Sequence, residues 1–258
     1  MPNLYGLLIS LSILCCILVV HSLIKNEDEE IFWGVAFWTI VGGIVGARLY
    51  HVLSNFQLYF SNPATIFEIW KGGLGIWGAI AGGIVGAIIF LKTRHQKILY
   101  WLDLMAVVVP LGQAIGRWGN FFNQEIFGKP TALPWGIYIS PQNRPAQFAS
   151  FQNFHPLFLY ESVLDLILFG ILFSLFVCRV PQTGEVPQKK YREKVPAGIF
   201  TALYLGGYSV IRIFLEYLRI SPWTIAGLNV SQCVSILALA FSIVFIMKKV
   251  SGGIPQKK

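Results

Sequence analysis

The sequence predicts an all-α integral membrane protein with seven transmembrane helices, and three observations carry that prediction. Of the 258 residues, 55% are hydrophobic and only 12% are charged, about half the ~25% charged residues of ordinary soluble domains. The apolar runs recur from one end of the chain to the other without a long polar insertion, so one polytopic membrane domain over residues 1–258 is expected. Seven of these runs reach the roughly 20 residues that a helix needs to cross the hydrocarbon layer.

The spans fall near residues 3–24, 31–54, 70–91, 99–118, 157–178, 196–215 and 229–247. The first has no Lys or Arg before it and no clear small-residue cleavage site, so it reads as a retained helix rather than a signal peptide. Its opening turn carries Tyr5. The second span holds Arg48 near its end, and the fourth closes on Gln113 and Arg117. The fifth carries Glu161 and Asp165 in its first turns, and the sixth ends on Tyr208, Arg212 and Glu216.

An odd number of spans puts the termini on opposite sides, and the Lys/Arg bias of the connections orients them. With the N-terminus outside and the C-terminus cytoplasmic, the inner segments hold Lys25, Lys92, Arg94, Lys97, Arg179, Lys189, Lys190, Arg192, Lys194, Lys248, Lys249, Lys257 and Lys258, which is 13 of the 20 Lys and Arg. The acidic character of the first inner connection, Lys25 to Glu30, does not change this, because acidic residues count little in the rule. The same scatter in short clusters explains the net charge of +8 without nucleic acid. Cys15, Cys16, Cys178 and Cys233 lie in or at the ends of apolar runs, have no metal-ligand spacing and read as small core residues.

In this topology the polar residues gather at the outer ends of the helices. Residues four apart share a helix face, so Tyr208, Arg212 and Glu216 form one stripe and Gln113 and Arg117 another. A charge near the bilayer centre costs about 2.5–3.5 kcal/mol on insertion scales, which makes such residues functional candidates that face the bundle interior. One arginine can snorkel to the headgroups as an anchor. Arg48, Arg117 and Arg212 together, accompanied by Glu161, Glu216, Asn120 and Asn123, point instead to a cationic pocket for an anionic headgroup, since guanidinium matches phosphate oxygens bidentately.

The long outer connection, residues 119–156, is rich in Pro, Asn, Gln and aromatics and is expected to form a cap or arm over that pocket. Its entrance reads Gly116-Arg117-Trp118-Gly119-Asn120-Phe121-Phe122-Asn123-Gln124-Glu125-Ile126-Phe127-Gly128. Glycines beside an arginine permit close backbone approach, and the two Asn and one Glu supply donors and acceptors where helix becomes loop.

This segment resembles the signature of the bacterial prolipoprotein diacylglyceryl transferases, G-R-x-G-N-F-x-N-x-E-x-x-G, at every specified position. The resemblance extends to Tyr5-Gly6, Gly46-Ala47-Arg48-Leu49, His155-Pro156 with Leu159-Tyr160-Glu161, and Tyr208 with Arg212 to Glu216. Seven spans with the N-terminus outside is also that family's arrangement. One position departs: many members carry a His in the third helix where Gly72-Gly73-Leu74-Gly75-Ile76-Trp77-Gly78 places Trp77, and an indole cannot accept a proton.

The resemblance implies transfer of diacylglyceryl from phosphatidylglycerol to the lipobox cysteine thiol of a prolipoprotein in the bacterial cytoplasmic membrane, with glycerol phosphate released on the outer side. No site in the sequence looks like a metal or nucleotide site, and no cofactor is expected. Arg117 and Arg212 are assigned to the phosphate with Arg48 nearby, and Asn120 and Asn123 to the headgroup or to orienting the arginines. Glu125, Glu161 and Glu216 orient arginines, because a carboxylate held in an ion pair is a poor base. Tyr5, Tyr208, His51 and His155 all stay open as acceptors of the thiol proton. The alternative from another class is a transporter or flippase for an anionic solute, which predicts related halves and a midplane site; neither feature is visible in the sequence.

Overall fold

The computed structural model describes residues 4–24, 29–179, 195–220 and 224–251. Seven helices are long and apolar enough to cross a membrane: α1 (Leu4–Leu23), α2 (Glu29–Ser54), α4 (Ile76–Thr93), α5 (Ile98–Phe122), α6 (Leu157–Arg179), α7 (Ile199–Glu216) and α8 (Val230–Ser251). They make this a multi-pass membrane protein. A six-residue helix, α3 (Phe56–Ser61), lies between α2 and α4. Of the residues that orient the spans, Lys25, Lys189, Lys190, Arg192, Lys194, Lys257 and Lys258 lie outside the described residues.

Two boundaries differ from the sequence expectation for local reasons. The third span begins at Ile76 rather than near residue 70, because Gly72 and Gly73 adopt φ of +90° and +75°, which a right-handed helix cannot include. The fourth continues to Phe122, so Asn120 sits in the last turn of a helix rather than in a loop.

The chain forms two compact units, residues 24–98 and residues 1–23 with 99–258. In the first, α2 and α4 meet backbone to backbone. A Cβ on Gly46 would lie 2.3 Å from the Gly78 carbonyl oxygen, one on Gly82 2.2 Å from that of Gly42, and one on Gly86 2.3 Å from that of Trp38. The falling partner numbers make the pair antiparallel. Small residues permit this approach, and dispersion between the closely packed backbones then holds helices together where lipid removes the hydrophobic drive.

In the second unit α5 is the central helix: half of its apolar window is buried, against 11% for α8. Helix α1 runs antiparallel along α5, with Tyr5 against Gly119, Ile9 against Gly116 and Cys16 Sγ donating to the Val108 carbonyl at 3.4 Å. Between α5 and α7, Asp103 caps the start of α7 across the interface. Its carboxylate accepts from the Gly198 and Thr201 amides, both at 2.7 Å, and from the Thr201 hydroxyl at 2.8 Å. These are donors that a helix start leaves without intrahelical partners. Helix α8 closes on α7 through Ser242, which donates to the Ala202 carbonyl at 2.5 Å and packs against Gly206.

The connection from α5 to α6 contains the antiparallel pair β1 (Ile137–Tyr138) and β2 (Asn153–Phe154), with Ile137 opposite Phe154 and Tyr138 opposite Asn153. It is tied to the end of α7: Gly128 bridges Arg219, and the Lys129 amide donates to the Leu218 carbonyl at 2.8 Å. A second short hairpin, β3 (Thr224–Ile225) with β4 (Leu228–Asn229), leads into α8.

Candidate active site

Helices α5 and α7 run parallel, and their polar stripes meet rung by rung. The Tyr204 hydroxyl donates to Gln113 Oε1 at 3.2 Å, and one turn further Arg117 Nη2 donates to the Tyr208 hydroxyl at 3.4 Å. The two tyrosine rings stack with centroids 6.0 Å apart. Helix α6 adds Glu161, whose Oε1 accepts from Arg117 Nη2 at 2.5 Å and from the Tyr208 hydroxyl at 3.0 Å. Glu161 Oε2 faces Arg212 Nη1 at 3.7 Å, so this one carboxylate lies between two guanidinium groups from two helices.

The chain of charges continues along the end of α7. Glu216 Oε2 accepts from Arg212 Nη2 at 2.9 Å and lies 3.5 Å from Arg219 Nη1, while Asn229 donates to Glu216 Oε1 at 3.3 Å. Exposure sorts the two signs. The Glu161 and Glu216 side chains keep 2% and 1% of their surface, against 20%, 16% and 31% for Arg117, Arg212 and Arg219. The carboxylates are buried and the guanidinium groups are the more exposed partners. Nε and Nη1 of Arg117 and Nε of Arg212 have no hydrogen-bond partner among the described residues.

A second cluster sits at the turn after α5. Asn120 and Asn123 donate to Glu125 Oε1 at 2.8 and 3.3 Å, and the Glu125 amide donates to the Asn120 carbonyl at 2.9 Å. Glu125 is flanked by Gln124 and Ile126 at φ of 51° and 53°. Left-handed backbone is costly for a β-branched residue, about 1–3 kcal/mol, and such strain concentrates at functional sites. The Gln124 amide oxygen accepts from the Ser140 amide at 2.8 Å and fastens this turn to the arm. Gly119 is required beside it, since a Cβ there would come within 2.5 Å of the Tyr5 ring.

The structure thus brings Arg117, Glu161, Tyr208, Arg212 and Glu216 into one connected group, with Asn120, Asn123 and Glu125 in a second. Tyr5 enters with its ring against Gly119. Arg48 lies in the other unit with different partners: Nε donates to the Ile66 carbonyl, Nη1 to those of Gly72 and Gly73, and Nη2 to that of Thr65, at 2.5–3.0 Å. Its guanidinium also lies 5.1 Å from the Tyr59 ring centroid.

Arg219 and Asn229 were not anticipated from sequence. Arg219 was legible, lying three residues beyond Glu216 on the same face. Asn229 has no local signal, because the β3–β4 hairpin carries it back to α7. Beside this end of the site a cavity of about 310 Å³ is lined by Gln147 and Phe148 of the connection and by Lys129, Glu216, Arg219 and Asn229.

A family model described as prolipoprotein diacylglyceryl transferase matches residues 3–248. The phosphatidylglycerol–prolipoprotein diacylglyceryl transferase of Synechococcus elongatus is 41% identical over 243 residues, spanning 93% of this chain and 80% of the relative. The protein of the same name from Trichormus variabilis is 38% identical, over 93% of this chain and 82% of its own length. That from Fervidobacterium nodosum is 40% identical, over 83% and 68%.

Proposed function

The chain belongs to the prolipoprotein diacylglyceryl transferase family, and we propose that it transfers diacylglyceryl from phosphatidylglycerol to the lipobox cysteine thiol of a prolipoprotein. The products are a thioether and glycerol phosphate. One observation carries the reading at the level of residues: two guanidinium groups from α5 and α7 share the buried Glu161 and keep N–H groups that have no hydrogen-bond partner among the described residues.

In this reaction the thiolate sulfur attacks the glycerol carbon that bears the phosphate ester. The S–C bond forms as the C–O bond breaks, and negative charge grows on the departing phosphate. Donors fixed in advance around developing charge are often the largest catalytic contribution. Arg117 and Arg212 supply them, Tyr208 and Glu161 hold Arg117 in place, and Glu216 holds Arg212. Asn120 and Asn123 each retain a carbonyl oxygen and one N–H for the headgroup, with Glu125 locking their orientation. Tyr5 sets the position of the Gly119 backbone. Arg48 shapes the backbone of residues 65–73.

The attacking sulfur belongs to the substrate; the four cysteines of this chain are free thiols, and Cys16 Sγ donates to the Val108 carbonyl on the α1–α5 contact. The Lys/Arg asymmetry of the connections supports an N-terminus outside and a site at the outer leaflet. Purified chain in phosphatidylglycerol nanodiscs, given a lipobox peptide, should yield the diacylglyceryl thioether and free glycerol phosphate. A folded sample that forms no thioether would sink the reading.

A further inference from the structure

Asp165 has no part in the scheme above, and its surroundings are unusual. It is fully buried, and neither carboxyl oxygen has a hydrogen-bond partner among the described residues. Asp103, equally buried, takes three donors. Leaving a buried acceptor without a donor costs about 1–3 kcal/mol, and such a group in a native structure calls for an explanation.

The groups that act on Asp165 are those of the candidate site. Glu161 lies one turn away on α6, Arg117 comes from α5, and Arg212, Tyr204 and Tyr208 come from α7. The other acceptors near the arginines are occupied. Both oxygens of Glu161 face arginines, and both oxygens of Glu216 have partners. Tyr208 directs its hydroxyl to Glu161, and His155 Nδ1 faces the Tyr160 hydroxyl at 3.2 Å.

We propose that Asp165 accepts the proton of the acceptor thiol. The inference rests on the transferase reading and completes it at the point that Trp77 leaves open. Four residues along α6 is about 6 Å of axial rise from Glu161. An in-line attack puts the sulfur about 3–3.5 Å from the reacting carbon, on the side away from the leaving oxygen. A base on the sulfur is therefore displaced from the phosphate ligands by several ångströms, as Asp165 is displaced from Glu161. The proton passes from sulfur to the Asp165 carboxylate, the sulfur electron pair forms the S–C bond, and the C–O pair leaves with the phosphate. The proton then departs on glycerol phosphate as its monoanion, which restores the carboxylate. The hydrogen bond to the thiol forms only in the loaded complex, as catalytic hydrogen bonds often do.

The test compares wild type and Asp165→Asn, full chain in phosphatidylglycerol nanodiscs, on two lipobox peptides that differ only in carrying cysteine or selenocysteine. A selenol is ionised at neutral pH and needs no base. Asp165→Asn should lower kcat on the cysteine peptide roughly 100-fold or more, the size of a general-base contribution, with KM for phosphatidylglycerol little changed. The selenocysteine peptide should recover most of that loss. Asp165→Asn that turns over the cysteine peptide like wild type would overturn the proposal, and so would an equal loss on both peptides, which marks a structural group. If Asp165→Asn does not assemble, Asp165→Ser is carried through the same pair. Wild type that forms no product with either peptide sinks the transferase reading itself, whereas an active wild type with an indifferent variant sinks only the role of Asp165.

Discussion

Arg48 and Arg117 are the same residue type near the ends of two transmembrane helices, and the protein uses them in opposite ways. Arg48 spends four of its five N–H groups on backbone carbonyls of residues 65–73 and lies over Tyr59. It is 8% exposed, and its Nη1 packs against Gly73, where a positive φ and the His51 ring also leave no place for a side chain. Arg117 commits one nitrogen, to a carboxylate and a phenol, and its Nε and Nη1 have no hydrogen-bond partner among the described residues. An arginine bound to carbonyls holds backbone. An arginine propped by a buried carboxylate is preorganised for an anion that arrives and leaves.

The largest expected effect separates the two by chemistry. Arg117→Lys keeps the charge and loses the planar fork, so transfer should fall roughly 10²- to 10³-fold, the usual cost of removing one donor from a charge-stabilising site. The melting midpoint of the detergent-solubilised protein should hardly move. Near-normal turnover would remove Arg117 from the phosphate site and with it the contrast. Arg48→Ala should show the reverse. Stripping the donors from several carbonyls costs on the order of 2–3 kcal/mol, read as a lower melting midpoint with activity lost in parallel. A variant that keeps its midpoint but loses turnover would return Arg48 to the phosphate ligands, where the sequence pattern had put it.

The contrast also shows what a sequence can carry. Seven spans were legible because 20-residue apolar runs have one physical explanation, and the Tyr208-Arg212-Glu216 stripe was legible because helical periodicity puts those residues on one face. The Gly116–Gly128 signature marked the second cluster by resemblance. The partners of Arg48 were not legible. They are backbone carbonyls in a stretch of short 3-10 turns between α3 and α4, and a carbonyl leaves no mark in residue identity. The start of α4 was misplaced for a related reason, since two glycines at positive φ end a turn that hydropathy alone extends. Asp165 was visible as a charge inside a span, yet the absence of its partners is a property of the packed helices.

Asp103 sharpens the same distinction among carboxylates. Its three donors at the start of α7 give it the task Arg48 has, that of holding backbone. Asp103→Ala leaves those amides bare and should cost about 1–2 kcal/mol, in the range of a lost helix cap. The cost should appear in thermal or denaturant unfolding, with kcat nearly unchanged in the folded fraction. A selective loss of kcat at unchanged stability would mean that the start of α7 controls the far end, where Arg212 sits.

The smallest expected effect concerns Trp77, on the helix that follows the loop held by Arg48. It is 67% exposed and occupies the position where many family members carry His. If the unit of α2 and α4 serves through its backbone, as the partners of Arg48 indicate, then an imidazole at this position adds nothing the chemistry lacks. Trp77→His should change transfer by no more than an ordinary surface substitution, about 0.5 kcal/mol or twofold in rate. A gain of roughly several tens of fold, approaching the worth of a general base, would show that a proton acceptor had been missing. In that event the loop beside Arg48 serves the chemistry directly, and Asp165 loses its role.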